Sequence, residues 1–488
     1  MENKINSKEE VVKTSSAAWL ACANSATGIL CAFAEGAAFQ YLFVNKMGLD
    51  ARFNTIVWVL FGIWNALNDP IYGFLADRTH SKLGRRRPWI RYGSPVMALF
   101  YALMWITFPD KNNQLFLFFQ ELTGLFLYDI VYTAIASAIY VMPYEMAVTN
   151  KARNKIFLFN IIFSVLSYGA PMILNSMLDK MIKENYQMFV TVMAGEGLVC
   201  GAIVFISTFF YKENTYIQQE EQPKFFEGLK LCFKNKSFLL FEVVSWTVIY
   251  AQNALMVGLT YLSGLWANEN VTINGWPGGS SMYILYGSIA AGLIIAMIVF
   301  YKMTVKWGTR TSILIAVGLM SAGCLTGAFL GRYFIVTVFT FFCSGAGLAG
   351  GLYVVPMING DVMDKDEIDN GSRREGVYAG INSLITKPAQ SIATSVFPVM
   401  MAAFGFIPTL NTANGATDWL SQSESVKNRF FFCWLFITGI LLALSFLAMW
   451  FYPLHGKEWN QMKEKLSAEH IQKQESYEKL MLEKMNKN

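Results

Sequence analysis

Apolar residues in this chain run in long, nearly unbroken stretches, rather than at the spaced positions of a helix with one wet face. The segments 284–301, 313–330 and 430–452 hold few polar side chains. Each reaches the roughly 18 residues needed to cross a bilayer. Twelve such spans are expected, near 17–44, 54–76, 89–108, 113–142, 156–180, 187–211, 237–266, 282–303, 311–330, 333–360, 376–404 and 428–452. In lipid every backbone polar group must be satisfied internally, so only helices and closed barrels can span it. These segments are too long and too continuously apolar for barrel strands. The pattern predicts an all-α membrane protein with twelve transmembrane helices.

Polar segments divide the spans into a plan. A cytoplasmic N-terminus (1–16) precedes a six-helix bundle (17–211). A linker (212–236) leads to a second six-helix bundle (237–452) and a tail (453–488). Lys and Arg concentrate in alternate loops: Arg78 to Arg91, Lys151 to Lys155 and Lys212 to Lys236. The positive-inside rule then puts both termini in the cytoplasm, with the chain in the cell's cytoplasmic (inner) membrane. The halves echo each other. Gly84-Arg85-Arg86-Arg87 follows the second span, and Lys306-Trp307-Gly308-Thr309-Arg310 follows the eighth. Pro143-Tyr144-Glu145 with Arg153 beyond closes the fourth span. Pro356 to Asp361 with Arg373-Arg374 beyond closes the tenth. Such a repeat fits a duplicated six-helix unit with its solute held between halves. In the tail Lys and Glu alternate around Met462, Leu466, Ile471 and Leu480. A helix on the membrane surface and a solvated tail both fit that pattern.

Composition sharpens this picture. Charged residues make up 15% of the 488 residues and hydrophobic ones 54%, whereas a soluble domain carries about 25% charged residues. The net charge of +5 sits in particular loops, so it speaks for topology and not for nucleic acid. Seven cysteines are scattered without a CxxC pair, and neither a disulfide nor a structural metal is expected. None of the three histidines lies in a span. A proton crossing the membrane would ride on a carboxylate. The first sixteen residues lack the short apolar core of a signal peptide.

An ionisable residue at mid-bilayer costs roughly 2.5–3.5 kcal/mol, so each one asks for a reason. On span 2, Asn65, Asn68 and Asp69 stand at i, i+3 and i+4 and share a face. Pro70 follows and frees a carbonyl. Together they form an oxygen-rich pocket for a small hard cation or a proton, unless the asparagines serve only to bond a neighbouring helix. Gly73, Asp77 and Arg78, with Gly84, Arg85 and Arg86, make a charged turn where Asp77 ends a helix unfavourably unless cations pair with it. A conformational lock is expected there, and Glu145, Arg153, Asp361, Arg373 and Arg374 are candidates for the same gating role. Glu35 on span 1 and Asp129 on span 4 are expected in the cavity; an interhelical pair is the other reading. For Glu121, Glu196 and Glu242 a structural role is expected. Lys387 lies about eleven residues, some 16 Å, inside span 11, where a carboxylate such as Asp69 or Asp129 would make it tolerable. Asn382 precedes it. Tyr132 and Tyr140 are aromatic candidates for stacking on a sugar.

Asn68-Asp69-Pro70, Gly73, Asp77-Arg78-Thr79, Ser81 and Gly84-Arg85-Arg86-Arg87-Pro88-Trp89 together resemble the signature of the glycoside–pentoside–hexuronide:cation symporters. These are the melibiose-permease-like branch of the major facilitator superfamily. Tyr132-Thr133 before Pro143-Tyr144-Glu145-Met146, and Gly371 to Gly376 before Lys387, resemble its later motifs in order. The resemblance implies the major facilitator fold, with a cation site of Asn68, Asp69 and Thr133, Lys387 close by and Tyr132 in the sugar pocket. Asn65 stands where many members have an acid. It keeps an oxygen ligand but loses a charge, which shifts weight from sodium to protons. Ile29 and Ala136 stand where melibiose-type members carry sugar-binding acids, and Asn160 or Ile161 where they carry an arginine. The resemblance therefore implies transport but not a galactoside.

The expected function is cation-coupled symport of a sugar-like solute by alternating access, with H+ or Na+ co-transported and no cofactor. The expected partners are the small solute and the bilayer, and the chain is expected to be monomeric. A facilitator, a carrier of a lysolipid and a non-transporting sensor are the rivals. No HExxH motif or nucleophile–base set speaks for an enzyme.

Overall fold

The computed structural model describes residues 12–108, 113–164, 185–213, 225–266, 280–371, 373–405 and 423–487, with Ser167 and Met181. Most of the expected span at 156–180, and 214–224 of the expected linker, lie outside them. The described elements are helical. They are α1 (Thr14–Ala34), α2 (Ala37–Tyr41) running into a π-helical turn (Leu42–Met47), α3 (Ala51–Asp77), α4 (Arg87–Met104), α5 (Gln114–Met146) and α6 (150–164). Then come α7 (Tyr186–Ser207), α8 (Phe225–Lys234), α9 (Lys236–Trp266), α10 (Ser280–Leu330), α11 (Phe334–Asn370), α12 (Glu375–Ala403), α13 (Glu424–Trp450) and α14 (Gly456–Lys487).

Among the described residues, seven helical stretches are long and apolar enough to cross a bilayer. The second span, α3, falls below that apolarity because Asn54, Asn65, Asn68 and Asp69 interrupt it. Its two faces explain why it is still a membrane helix. Ile56, Val59, Leu60, Ile63, Leu67 and Ile71 recur at helical spacing and are exposed, while Val57, Phe61 and Asn68 are buried. A helix with apolar residues outward and a polar residue inward is built for lipid.

Helix ends follow local chemistry. Asp50 caps α3 by accepting from Arg52 N at 2.7 Å, Asn113 caps α5 and Asn185 caps α7. Two elements differ from the sequence expectation. The first span does not run unbroken over 17–44, because α1 ends at Glu35. The expected spans at 282–303 and 311–330 are joined in α10 across Gly308, whose φ of 82° belongs to glycine.

The chain divides into two compact units. The first holds residues 1–232, 363–384 and 460–488, so part of α11, the start of α12 and most of α14 pack with the N-terminal helices. Within it α4 packs on α5 and α7, α3 on α5, and α1 on α7. The second holds residues 233–362 and 385–459, where α13 packs on α10 and α9.

Candidate functional site

Two polar constellations stand inside the first unit. The first joins α3 to α5. Asp129 is fully buried, as is Asn68, and Thr133 nearly so. Asn68 Nδ2 donates to Asp129 Oδ2 at 2.8 Å and to Thr133 Oγ1 at 3.0 Å. Thr133 Oγ1 donates to Asp129 Oδ1 at 3.0 Å, one helical turn away. Trp64 Nε1 donates to Asp129 Oδ2 at 2.7 Å. Three side chains thus close on one carboxylate. Asn65 and Asp69 lie beside this set on α3 and are only half-buried.

Other candidates gather nearby in pairs. Glu35 and Tyr132 act on the Cys31 thiol, and Tyr132 stacks on Tyr128 with ring centroids 5.4 Å apart. Asn382 Nδ2 donates to Tyr140 OH at 3.4 Å. Asn160 is half-buried on α6, its Oδ1 without a hydrogen-bond partner among the described residues. Lys387 is half-buried on α12, in the second unit. Of the acids expected to be structural, Glu121 accepts from Trp58 Nε1 at 3.2 Å and Glu196 from Tyr101 OH at 2.9 Å. Glu242 is buried with neither carboxyl oxygen hydrogen-bonded among the described residues.

The second constellation lies at the Asp77 end of the first unit. Arg86 pairs with Asp77, and its Nε donates to Glu145 Oε1 at 3.1 Å. Arg85 Nη2 reaches Glu145 Oε1 at 2.9 Å and Glu375 Oε2 at 3.0 Å, and its Nη1 lies 3.7 Å from Asp77. Asp77 Oδ2 also accepts from Val377 N at 3.2 Å. These groups are almost wholly buried, so removing one partner would strand a charge without water. Backbones meet closely here. A Cβ on Gly73 would lie 2.2 Å from the Gly376 carbonyl oxygen, and one on Gly376 would lie 2.4 Å from that of Gly73. Arg78 is exposed, with its guanidinium 4.2 Å from the Phe74 ring centroid.

A further acid completes the cluster. Glu213 accepts from the backbone N–H groups of Arg86 and Arg87, at 3.1 and 3.0 Å. It thereby caps the N-terminus of α4 from a distant segment. Burial, with Glu145 close by, pushes its carboxyl up to about 8.

Arg153 grips Asp364 with both terminal nitrogens, at 2.7 and 2.8 Å. Lys463 of α14 lies 3.7 Å from the same carboxylate and donates to Asn150 at 2.7 Å. Arg373 pairs with Glu375, reaches Glu367 at 3.2 Å and donates to the Tyr144 carbonyl at 3.0 Å. His470 stands against Arg373 and lies 2.7 Å from Glu367. Arg374 pairs with Asp366. Asp361 lies in the second unit and accepts from Thr309 Oγ1 at 2.8 Å. The acids that meet Arg153, Arg373 and Arg374 are therefore Asp364, Glu367, Glu375 and Asp366. Those four, with Glu213, Lys463 and His470, are the residues that sequence reasoning missed. No group of three or more metal-ligating side chains occurs among the described residues.

The folded chain resembles solved transporters of one architecture. It matches the Escherichia coli fucose:proton symporter with a TM-score of 0.57 at 16% identity, over 90% of this chain and 97% of that one. The fold is that of a major facilitator, and the protein is a multi-pass membrane transporter rather than an enzyme. It belongs to the MFS/sugar transport protein family, matched over residues 21–456. Among its relatives, the glucuronide carrier protein homolog of Escherichia coli is 22% identical, over 88% of this chain and 91% of that protein. The sodium-dependent lysophosphatidylcholine symporter 1 of Gallus gallus is 21% identical, over 89% and 85%. The resemblance to the glycoside–pentoside–hexuronide:cation symporters is borne out at the level of the family.

Proposed function

We propose that this protein drives a sugar-like solute across the cytoplasmic membrane by coupling it to an inward-moving cation, with both termini in the cytoplasm. The observation that carries this reading is the buried Asn68–Asp129–Thr133 set between α3 and α5. Polar groups at that depth are costly, and function is the reason they persist. Asn65 and Asp69 flank the set and belong to the same ion site. Glu35, Tyr132, Tyr140, Asn160, Asn382 and Lys387 are candidates for holding the solute. The Asp77–Arg85–Arg86–Glu145–Glu375 cluster acts as the cytoplasmic lock. One positive charge moving inward is worth about 2.3 kcal/mol per 100 mV, enough for roughly 50-fold accumulation of a neutral solute.

Uptake into proteoliposomes tests this. Glycosides, pentosides and uronides are offered under an imposed proton or sodium gradient. Uphill accumulation that a protonophore or sodium ionophore abolishes is the expected result. Equilibration without accumulation under both gradients overturns the coupling. A second reading, carriage of an amphiphile, draws on an apolar crevice of about 390 Å³ in the first unit, lined by Tyr72, Trp89, Tyr92, Val96, Ile130 and Ile135 among others. A lysophospholipid in the same assay separates the two.

A further inference from the structure

Resting on the symporter reading, we propose that Asp129 is the proton-carrying carboxylate of this transporter, and that it takes its proton on Oδ1 against the Thr133 hydroxyl. The donors around it are arranged unevenly. Oδ2 accepts from Trp64 Nε1 and Asn68 Nδ2, at 2.7 and 2.8 Å. An indole N–H can only donate, so a proton on Oδ2 would confront the Trp64 hydrogen even with the Asn68 amide turned over. Oδ1 accepts from Thr133 Oγ1 at 3.0 Å, and a hydroxyl can turn and accept instead. Protonation on Oδ1 has a low-cost route. The proton joins Oδ1, the new O–H donates to Thr133 Oγ1, and the displaced hydroxyl hydrogen turns to the carbonyl one helical turn back.

Burial makes both states tenable. Asp129 is fully buried, which disfavours the charge, while three neutral donors favour it. The groups that feel its charge are Cys31 from α1, Tyr72 from α3 and Tyr132 on α5 itself. Asp69 adjoins on α3, Glu35 reaches the cluster through Cys31, and Tyr101 of α4 packs on Tyr128. Asp69 and Glu35 are acids, so a proton on Asp129 relieves charge among them.

Sodium is served less well. Two N–H donors crowd Oδ2, where a hard cation would need oxygens instead. The proton also has a mechanical consequence. Hydrogen bonds to an ionised acceptor are roughly twice as strong as neutral ones. Loading Asp129 therefore loosens Trp64 and Asn68 from α5, on the same helix that carries Gly73 and Asp77.

Infrared difference spectra of the reconstituted protein, stepped between about pH 8 and about pH 5, test the assignment without any solute. Acidification of the wild type is expected to raise a protonated-carboxyl band that Asp129→Asn removes and Asp69→Asn retains. Trp64→Phe, which removes one donor to the ionised form, should move the midpoint of that band up by about one pH unit. A band unchanged in Asp129→Asn, or lost in Asp69→Asn, overturns the proposal. A shift of the wild-type band on adding sodium at constant pH overturns it in favour of a sodium site. Should Asp129→Asn fail to fold, Trp64→Phe decides, and an unmoved midpoint sinks the idea. Because no solute is involved, these results stand apart from the uptake assay that tests symport itself.

Discussion

Gly84 and Glu213 compete for one volume: a Cβ on residue 84 would lie 1.9 Å from Glu213 Oε1. The φ of residue 84 is +111°, a conformation that side chains rarely adopt. A glycine in the basic turn therefore lets a distant acid reach the first N–H groups of α4. Gly84→Ala should cost roughly 2–3 kcal/mol, from backbone strain and the lost cap. Thermal unfolding in detergent reads this as a clear drop in Tm. A variant as stable as the wild type would show that the turn relaxes without displacing Glu213.

Glu213 also gives stability a pH dependence of known sign. Its folded carboxyl is raised from 4.5 to about 8 by burial and by Glu145. The folded state then holds a proton that the unfolded state has released, so this group's contribution falls as pH rises between about 4.5 and about 8. Glu213→Gln cannot ionise and should flatten that part of the profile. The check is Tm against pH for both proteins. Equal slopes across the window would remove Glu213 as the cause.

The Arg153–Asp364 pair should behave as a buried, two-pronged bridge. Arg153→Met leaves Asp364 with Lys463 3.7 Å away, and should cost about 3 kcal/mol. Arg153→Lys should recover little, because an ammonium cannot match both oxygens. Arg153→Met with Asp364→Leu should recover most of the loss. Denaturation of the three variants side by side gives the comparison.

Helix α14 should contribute to stability rather than trail in solvent. Lys463, Leu466, Ser467 and His470 recur at helical spacing and are all buried. A chain ending at Leu454 should melt at lower temperature and be cut sooner by protease near Glu367. Unchanged melting and cleavage would mean that the helix is dispensable to the first unit.

Much of this was readable from the chain. Long apolar runs gave the helices, because lipid leaves no other structure. Asn68, Asp129 and Thr133 stood out, because polar groups inside such runs are costly, and the i, i+4 spacing of Asp129 and Thr133 put them on one face. What the sequence hid were partners far apart. Asp364, Asp366 and Glu367 lie just past the expected end of the tenth span and drew no reading, yet they are buried against arginines or a histidine. Glu213 read as one acid in a polar linker. No periodicity links it to Gly84, since only the fold brings them together. The break at Glu35 was missed for another reason: the apolar run continues through it, and only Gly36 marked the interruption.

The bridges of the first unit have an order of arrival. Arg153 precedes Asp364 by 211 residues, and Arg85 precedes Glu375 by 290. During synthesis Arg153 emerges long before Asp364, whereas Arg85 can meet Asp77 and Glu145 early and gains Glu375 only later. Until the last third of the chain leaves the ribosome, that face must stay hydrated or be shielded by a helper. A message cut short before residue 364 would leave a membrane-inserted remnant in which Arg153 has lost Asp364.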